Sequence, residues 1–340
     1  MHSPFPRFVK LVLALALSIL VLTLAGCSST QSILEPANTS ARDIAGLFYF
    51  IFYIALVIFI LVEGLLIFFV VRYQRRANAG LPPQFHGNTR IEVAWTLAPA
   101  IVLAVVFFMT VRTMSSTSLA AQPPATVNVR VIGHQWWWEF QYPDLGITTA
   151  NDLHVPVGQV VSLTLESDNV IHSFWVPQLM GKTDVIPDHQ NKTWLRAETA
   201  SVYSGQCAEF CGVQHAHMLF RVVADEAGTF DAWVKGQQTT AQTPTDGDAA
   251  RGAQIFTSNG GCFACHTING VDKAKGKVGP NLTHFGSRLT IAAGTLPNTP
   301  ENLSAWLHNP QEVKPGNAMN IGKLSDPDIQ ALIAYLASLK

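Results

Sequence analysis

The sequence predicts a multi-domain membrane protein: a two-helix transmembrane hairpin, a small β domain and an all-α C-terminal domain. Three observations predict it. Two long apolar runs occupy residues 47–71 and 93–111, apolar and polar residues alternate strictly from Val127 onwards, and a Cys-x-x-Cys-His motif at Cys262, Cys265 and His266 sits among short helical patterns. With 48% hydrophobic and only 13% charged residues, the composition itself leans towards a membrane protein. No basic stripe or nucleic-acid motif is present, which sets that class of partner aside. The five cysteines fall into three groups (Cys27; Cys207 and Cys211; Cys262 and Cys265), so none is left for a structural disulfide.

Residues 1–27 read as a signal peptide, with Arg7 and Lys10 ahead of an apolar run and then small residues. The ending Leu24-Ala25-Gly26-Cys27 resembles a bacterial lipoprotein processing site, which makes Cys27 the lipidated first residue of the mature chain. Residues 28–120 hold the hairpin, both of whose apolar runs are long enough to cross a bilayer. Between them Arg72, Arg75, Arg76 and Arg90 occur without an acidic residue, placing that loop in the cytoplasm and both termini outside. Glu63 lies inside the first run and Glu92 opens the second. An acid at that depth is functional by default, although Glu63 could equally pair with a neighbouring subunit.

Residues 121–235 form the β domain. Val127, Val129 and Val131 alternate with Asn128 and Arg130, and Val161-Leu163-Leu165 and Leu219-Arg221-Val223 repeat the pattern, as expected of a small antiparallel sandwich. Within it, Cys207, Cys211, His215 and Met218 bring soft and borderline metal ligands into one loop, with His172 in a separate segment. Such donors favour copper, and the second thiolate points to two metal ions sharing a pair of sulfurs. A short-loop disulfide between the cysteines, or a zinc site with His215 and His217, would use the same residues. The run Gly133 to Phe140 contains Trp136, Trp137 and Trp138, more aromatic surface than core packing alone needs.

Residues 236–247 are polar and without periodicity, a flexible linker spanning roughly 20 Å. Residues 248–340 follow as a haem domain. Cys262 and Cys265 supply thiols for thioether bonds and His266 an iron ligand, against the rival readings of a redox disulfide or half a zinc site. Met319 is the leading sixth ligand, with His284 and His308 as alternatives, and a His/Met pair gives a relatively high potential. A helix from Thr299-Pro300-Glu301 to Pro310 and a last helix opened by Asp326-Pro327 frame the site. The β domain has six basic against twelve acidic residues, net −6, and the haem domain eight against six, net +2. With Lys273, Lys275 and Lys277 close to the haem motif, this complementarity predicts electrostatic docking of the two domains.

The pattern Cys207-x-Glu209-x-Cys211-x-x-x-His215-x-x-Met218, preceded by Val170-Ile171-His172-Ser173, resembles the dinuclear copper centre (CuA) of subunit II of haem-copper cytochrome c oxidases. Residues 279–282, Gly-Pro-Asn-Leu, are similar to the segment packing on the proximal histidine of small cytochromes c. The resemblance covers nearly the whole mature chain and implies a cupredoxin-like barrel for the β domain. By it, both thiolates bridge the coppers, His172 and His215 bind one each, Met218 is a weak ligand and Glu209 gives its carbonyl oxygen. It further implies that Glu209 turns its side chain to a magnesium or manganese ion at the border with subunit I, that Trp136 is where electrons enter above the copper, and that Glu92 stands at the mouth of a proton channel. The function implied is the electron-input subunit of a proton-translocating cytochrome c oxidase in the bacterial inner membrane, a multi-pass chain with its copper and haem domains on the periplasmic side. Subunits I and III and membrane lipid would be its partners, and a soluble or membrane-bound donor would reduce haem c. A copper-containing nitric oxide reductase subunit, or a membrane-anchored carrier without a catalytic partner, would show the same motifs. Two positions depart from the family: Asn169 stands where an aspartate is usual, and Pro187-Asp188-His189 replaces a usual Pro-Gly-Arg.

Overall fold

Both apolar runs lie inside helices longer than hydropathy alone foretold. The computed structural model describes residues 14–15, 17–18, 31–74 and 87–340. The expected signal-peptide cleavage region, Cys27, Arg75 and Arg76 lie outside the described residues. Helix α1 (Thr39–Arg72) starts at Asn38, whose Oδ1 accepts the Ala41 amide at 2.8 Å. Helix α2 (Thr89–Thr117) is capped by Asn88 and continues through Pro99. Each is long and apolar enough to cross a membrane, and its apolar window is unburied within the chain. Ser116 Oγ donates to Asp43 at 2.8 Å and joins the two helices.

The outer end of the hairpin is fastened to the β domain. Asn38 Nδ2 donates to the carbonyls of Leu179 (2.8 Å) and Arg196 (2.7 Å), so this buried amide is fully used. Glu198 accepts from Thr39 Oγ1 at 2.6 Å and pairs with Arg42 at 2.7 Å. Trp194 Nε1 reaches the Ser118 carbonyl beyond α2 at 3.2 Å.

The β domain is a sandwich of two five-stranded sheets. One has the order β3 (Ile147–Ala150), β2 (Trp137–Tyr142), β1 (Val127–His134), β5 (Val161–Ser167), β8 (Asn191–Leu195). The other runs β4 (Asp152–Pro156), β10 (Leu219–Asp225), β9 (Ser201–Cys207), β6 (His172–Trp175), β7 (Thr183–Val185). The expected purely antiparallel pairing needs correction: β1–β5 and β10–β4 are parallel. Alternation fixes which face a strand buries but not the direction of its neighbour, and here long crossovers bring parallel strands together. Val129, Val131, Leu163 and Leu165 fill the interior together with Trp138, Phe140, Phe174 and Phe220. The Phe174 and Phe220 rings stack at 4.5 Å, with Trp138 edge-on to both.

Helix α3 (Ala227–Gln237) follows, running into the stretch expected as linker, and the Ala241 amide donates to the Asn269 carbonyl at 2.9 Å. The tether is therefore shorter than its composition implied. The C-terminal domain has α4 (Gly247–Phe256), α5 (Pro300–His308), α6 (Pro310–Val313) and α7 (Asp326–Ser338), plus a small hairpin of β11 (Thr290–Ile291) and β12 (Leu296–Pro297). Thr299 caps α5 as expected; α7 is capped by Ser325, one residue before the expected Asp326. Ile329, Leu332, Ile333 and Leu336 all face the core.

Candidate metal centre and haem cavity

The ends of β6 and β9 build the first site. These strands pair Phe174 with Cys207, which brings His172 beside the start of the cysteine loop. The loop is then closed by backbone bonds: the Cys207 amide donates to the Met218 carbonyl (3.0 Å) and the Ala208 amide to the Ser173 carbonyl (2.9 Å). His172 and Met218 are wholly buried, and Cys207 and Cys211 nearly so, at 5% and 4% exposure.

The sulfurs of Cys207 and Cys211 stand 3.8 Å apart. That is far beyond a disulfide's roughly 2.05 Å, yet close enough for ions bound at roughly 2.3 Å from each sulfur. Each sulfur has its own imidazole and its own weak donor. Cys207 Sγ lies 3.9 Å from His172 Nδ1 and 3.2 Å from the Glu209 carbonyl oxygen. Cys211 Sγ lies 3.7 Å from His215 Nδ1 and 3.8 Å from Met218 Sδ. The donor atoms of His172, Cys207 and Cys211 fall within 4.8 Å of one another. The arrangement is two-ended, whereas a single tetrahedral zinc would draw its ligands around one point.

Outer contacts set the ring orientations. His172 Nε2 donates to Asn169 Oδ1 at 3.1 Å, leaving Nδ1 free to ligate, so Asn169 provides this acceptor although the family usually has an aspartate there. Gly133 passes so close to the His172 ring that a Cβ would lie 2.8 Å from it. His217, the rival to His215, instead donates from Nδ1 to Gln214 Oε1 at 2.9 Å. The Cys211 thiol donating to Cys207 holds the latter well below the usual thiol range, and keeping that hydrogen, together with burial, holds Cys211 above it. A metal ion would take both sulfurs as thiolates, displacing their protons. Glu209 directs its carboxylate outwards, 3.4 Å from Lys182 Nζ.

The second site is a cavity of about 360 Å³ in the C-terminal domain. Cys262, Cys265, His266 and Met319 line it together with Leu282, Phe285, Leu303, Leu307 and Leu336. His266 Nδ1 donates to the Pro280 carbonyl at 2.8 Å, which leaves Nε2 as the ligand atom, and burial lowers its pKa towards the neutral form. Gly279 lies against this ring, where a Cβ would stand 2.5 Å from Cε1. Arg288 also lines the cavity; burial pushes its guanidinium down to about 10, and its Nε has no partner among the described residues. Arg288 Nη2 donates to the Asn281 carbonyl, so an apolar pocket with two thiols, an imidazole, a thioether and a guanidinium with its Nε–H still to be paired fits a haem with its anionic edge. His284 and His308 are engaged elsewhere, His284 Nε2 with the Gln237 carbonyl (3.1 Å) and His308 with Ser304 and Asp326.

The same cavity is bordered by Gln135, Trp136 and Trp137 of the β domain. Trp136 Nε1 and Gln135 Nε2 both donate to the Cys211 carbonyl, at 2.9 and 2.8 Å. Among the described residues, Lys273, Lys275 and Lys277 form no ion pair; the domains meet instead through hydrogen bonds from the Leu219 amide to the Ala293 carbonyl (3.0 Å) and from the Leu289 amide to Asp152 (2.8 Å). Lys314 and Arg288, both at this junction, escaped the sequence reading because neither belongs to a motif. Of the other residues singled out, Glu92 is exposed in the first turn of α2 and Glu63 is exposed on α1.

Fold and sites define a membrane-anchored electron-transfer chain with a metal loop on a cupredoxin-like sandwich and a covalent haem domain beside it. The comparisons agree part by part. The chain matches the family described as cytochrome C oxidase subunit II, transmembrane domain over residues 27–112, its periplasmic domain over residues 146–225, and cytochrome c over residues 249–340. It is 38% identical to cytochrome c oxidase subunit 2 of Alkalihalophilus pseudofirmus over 337 residues, covering 96% of each chain. It is 40% identical to the subunit 2 of a Bacillus species over 278 residues, 76% of this chain and 77% of the relative. A crystal structure of the periplasmic domain of subunit II from Bradyrhizobium japonicum aligns at 30% identity and TM-score 0.33, covering 34% of this chain and 96% of that one. The chain belongs to the cytochrome c oxidase subunit II family, in the form that carries its own C-terminal cytochrome c domain. It is thus an oxidase subunit, associated with the catalytic subunit I, with a copper-binding extracellular domain and a haem c domain.

Proposed function

We propose that this chain is the electron inlet of a proton-translocating cytochrome c oxidase: electrons pass from its haem c to a dinuclear copper centre and on to subunit I, where oxygen is reduced to water. The haem and the copper pair each take up and release one electron when bound. Cys207, Cys211, His172 and His215 would hold the copper pair, with Met218 and the Glu209 carbonyl as weaker donors. His266 and Met319 would hold the iron, and Cys262 and Cys265 would fix the haem covalently.

One observation carries the route. Trp136 borders the haem cavity while its indole N–H is bonded to the carbonyl of Cys211. Its ring is therefore a short bridge from one site to a ligand of the other. In the assembled oxidase, photoreduction of haem c followed by optical detection of copper reduction should be slowed by Trp136→Ala by about tenfold or more. An unchanged rate would remove Trp136 from the path.

The finer features of the family follow as parts of the same reading. The chain is multi-pass with a barrel-like copper domain on the periplasmic face of the inner membrane. Cys27 is the lipidated mature N-terminus, Glu92 loads the proton channel of subunit I, and the Glu209 carboxylate helps hold magnesium or manganese there. Subunit III completes the complex, and a separate donor reduces haem c.

A further inference from the structure

Lys314 is the most deeply buried lysine at the domain junction, with 3% of its surface exposed. A buried ammonium needs an acceptor for each of its three hydrogens. Lys314 has three, all backbone carbonyl oxygens: Trp136 at 2.7 Å, His217 at 2.9 Å and Ala292 at 3.3 Å. Two of these belong to the copper domain. One is the carbonyl of the tryptophan beside the Cys211 carbonyl, and the other immediately precedes Met218.

The chain around Lys314 strengthens the connection. Gln214 Nε2, in the copper loop, donates to the Pro315 carbonyl at 2.6 Å. Five residues beyond Lys314 comes Met319, whose main chain is held by Asn317 Oδ1 (2.7 Å) and by Gln311 Nε2 (3.2 Å). Residues 314–319 thus lead from contacts on the copper loop to the wall of the haem cavity. Among the described residues no carboxylate accepts from Lys314, so the contact is not an ion pair that salt would screen.

The geometry points to Lys314 as a positioning residue for electron transfer, a clamp that holds the haem domain against Trp136 and the copper loop and so sets the separation of the two sites. This rests on the proposed direction of flow. With the clamp closed, Trp136 stands half-buried against the chain's own cytochrome domain. Removing a buried donor leaves its carbonyl acceptors unsatisfied and weakens docking by on the order of tenfold or more.

The test uses the complete oxidase complex carrying Lys314→Met, which keeps an apolar stem of similar length, and Lys314→Gln, which restores two donors. Hydrogen exchange is read at the Leu219 and Leu289 amides, which bond across the junction, and the haem-to-copper rate is read after photoreduction of the haem. Lys314→Met should raise exchange at both amides and slow transfer about tenfold or more, with Lys314→Gln between it and the natural protein. Haem and copper spectra, and onward transfer from copper reduced directly, should not change. Exchange and transfer both at the natural level in Lys314→Met would overturn the clamp. So would opened amides with an undiminished rate. Failure of the underlying direction of flow would be seen separately, as haem electrons that never reach copper in the natural protein.

Discussion

The copper domain and the haem domain solve the same problem, holding a one-electron centre, in opposite ways. In the copper domain His172 and Cys207 lie on paired strands and the remaining proposed ligands on the loop those strands close, so the site forms around buried sulfurs with the aromatic core packed behind it. In the haem domain the proposed ligands line a cavity of about 360 Å³, Cys265 is exposed, and Met319 comes from a segment without regular structure. One domain is a finished scaffold onto which metal is added. The other builds its core around the cofactor cavity, so haem loading and folding should be coupled there and largely independent in the sandwich.

The largest expected effect exploits that difference. Preventing haem attachment with Cys262→Ala and Cys265→Ala leaves the cavity unfilled, and a void of that size costs several kcal/mol, comparable with the whole stability of a small domain. Hydrogen exchange should show helices α4 and α7 unprotected while strands β1 and β5 keep their protection. Equal loss in both domains would break the comparison.

On the other side, Cys211→Ser should abolish binding of the copper pair yet shift the melting of the sandwich only slightly, by about 1 kcal/mol or less. Metal analysis beside calorimetry would check this. His215→Ala should likewise lose copper, whereas His217→Ala, which removes only the bond to Gln214, should retain it.

The limits of the sequence follow the same division. Ligand types and spacing in a loop are local, so the copper and haem motifs and the apolar helices were legible directly. Strand direction was not, because alternation is blind to whether β1 and β5 run parallel. Nor was the docking mode: counting charges pointed to Lys273, Lys275 and Lys277, but the junction uses a lysine satisfied by carbonyl oxygens, and backbone acceptors leave no trace in side-chain identity. The spacing already favoured His215 over His217, and the fold adds the physical reason, since there Gln214 takes His217 away.

A smaller effect concerns salt. Transfer from haem to copper within the chain should change little, less than about twofold, between low and high ionic strength, because the junction is not built of surface pairs. A steep fall would restore electrostatic docking through the exposed lysines.

Smallest is the fastening of α1. Thr39 hydrogen bonds and Arg42 hold the Glu198 carboxyl down to about 2, from an ordinary 4.5. A carboxylate with a lowered pKa stabilises fully above 4.5 and loses that contribution as pH falls through about 2. The contribution is at most about 1 kcal/mol for so accessible a group. Glu198→Gln should remove the acid-dependent part of the sandwich's melting between those pH values, with no change at neutral pH in the haem domain.

The most direct test of the account is electron paramagnetic resonance, with metal analysis, of the copper-loaded full chain. Sulfurs 3.8 Å apart, each with its own imidazole, predict two coppers per chain and hyperfine structure from one unpaired electron shared equally by two copper nuclei. A signal from a single copper nucleus, or stoichiometric zinc with no signal, would contradict it.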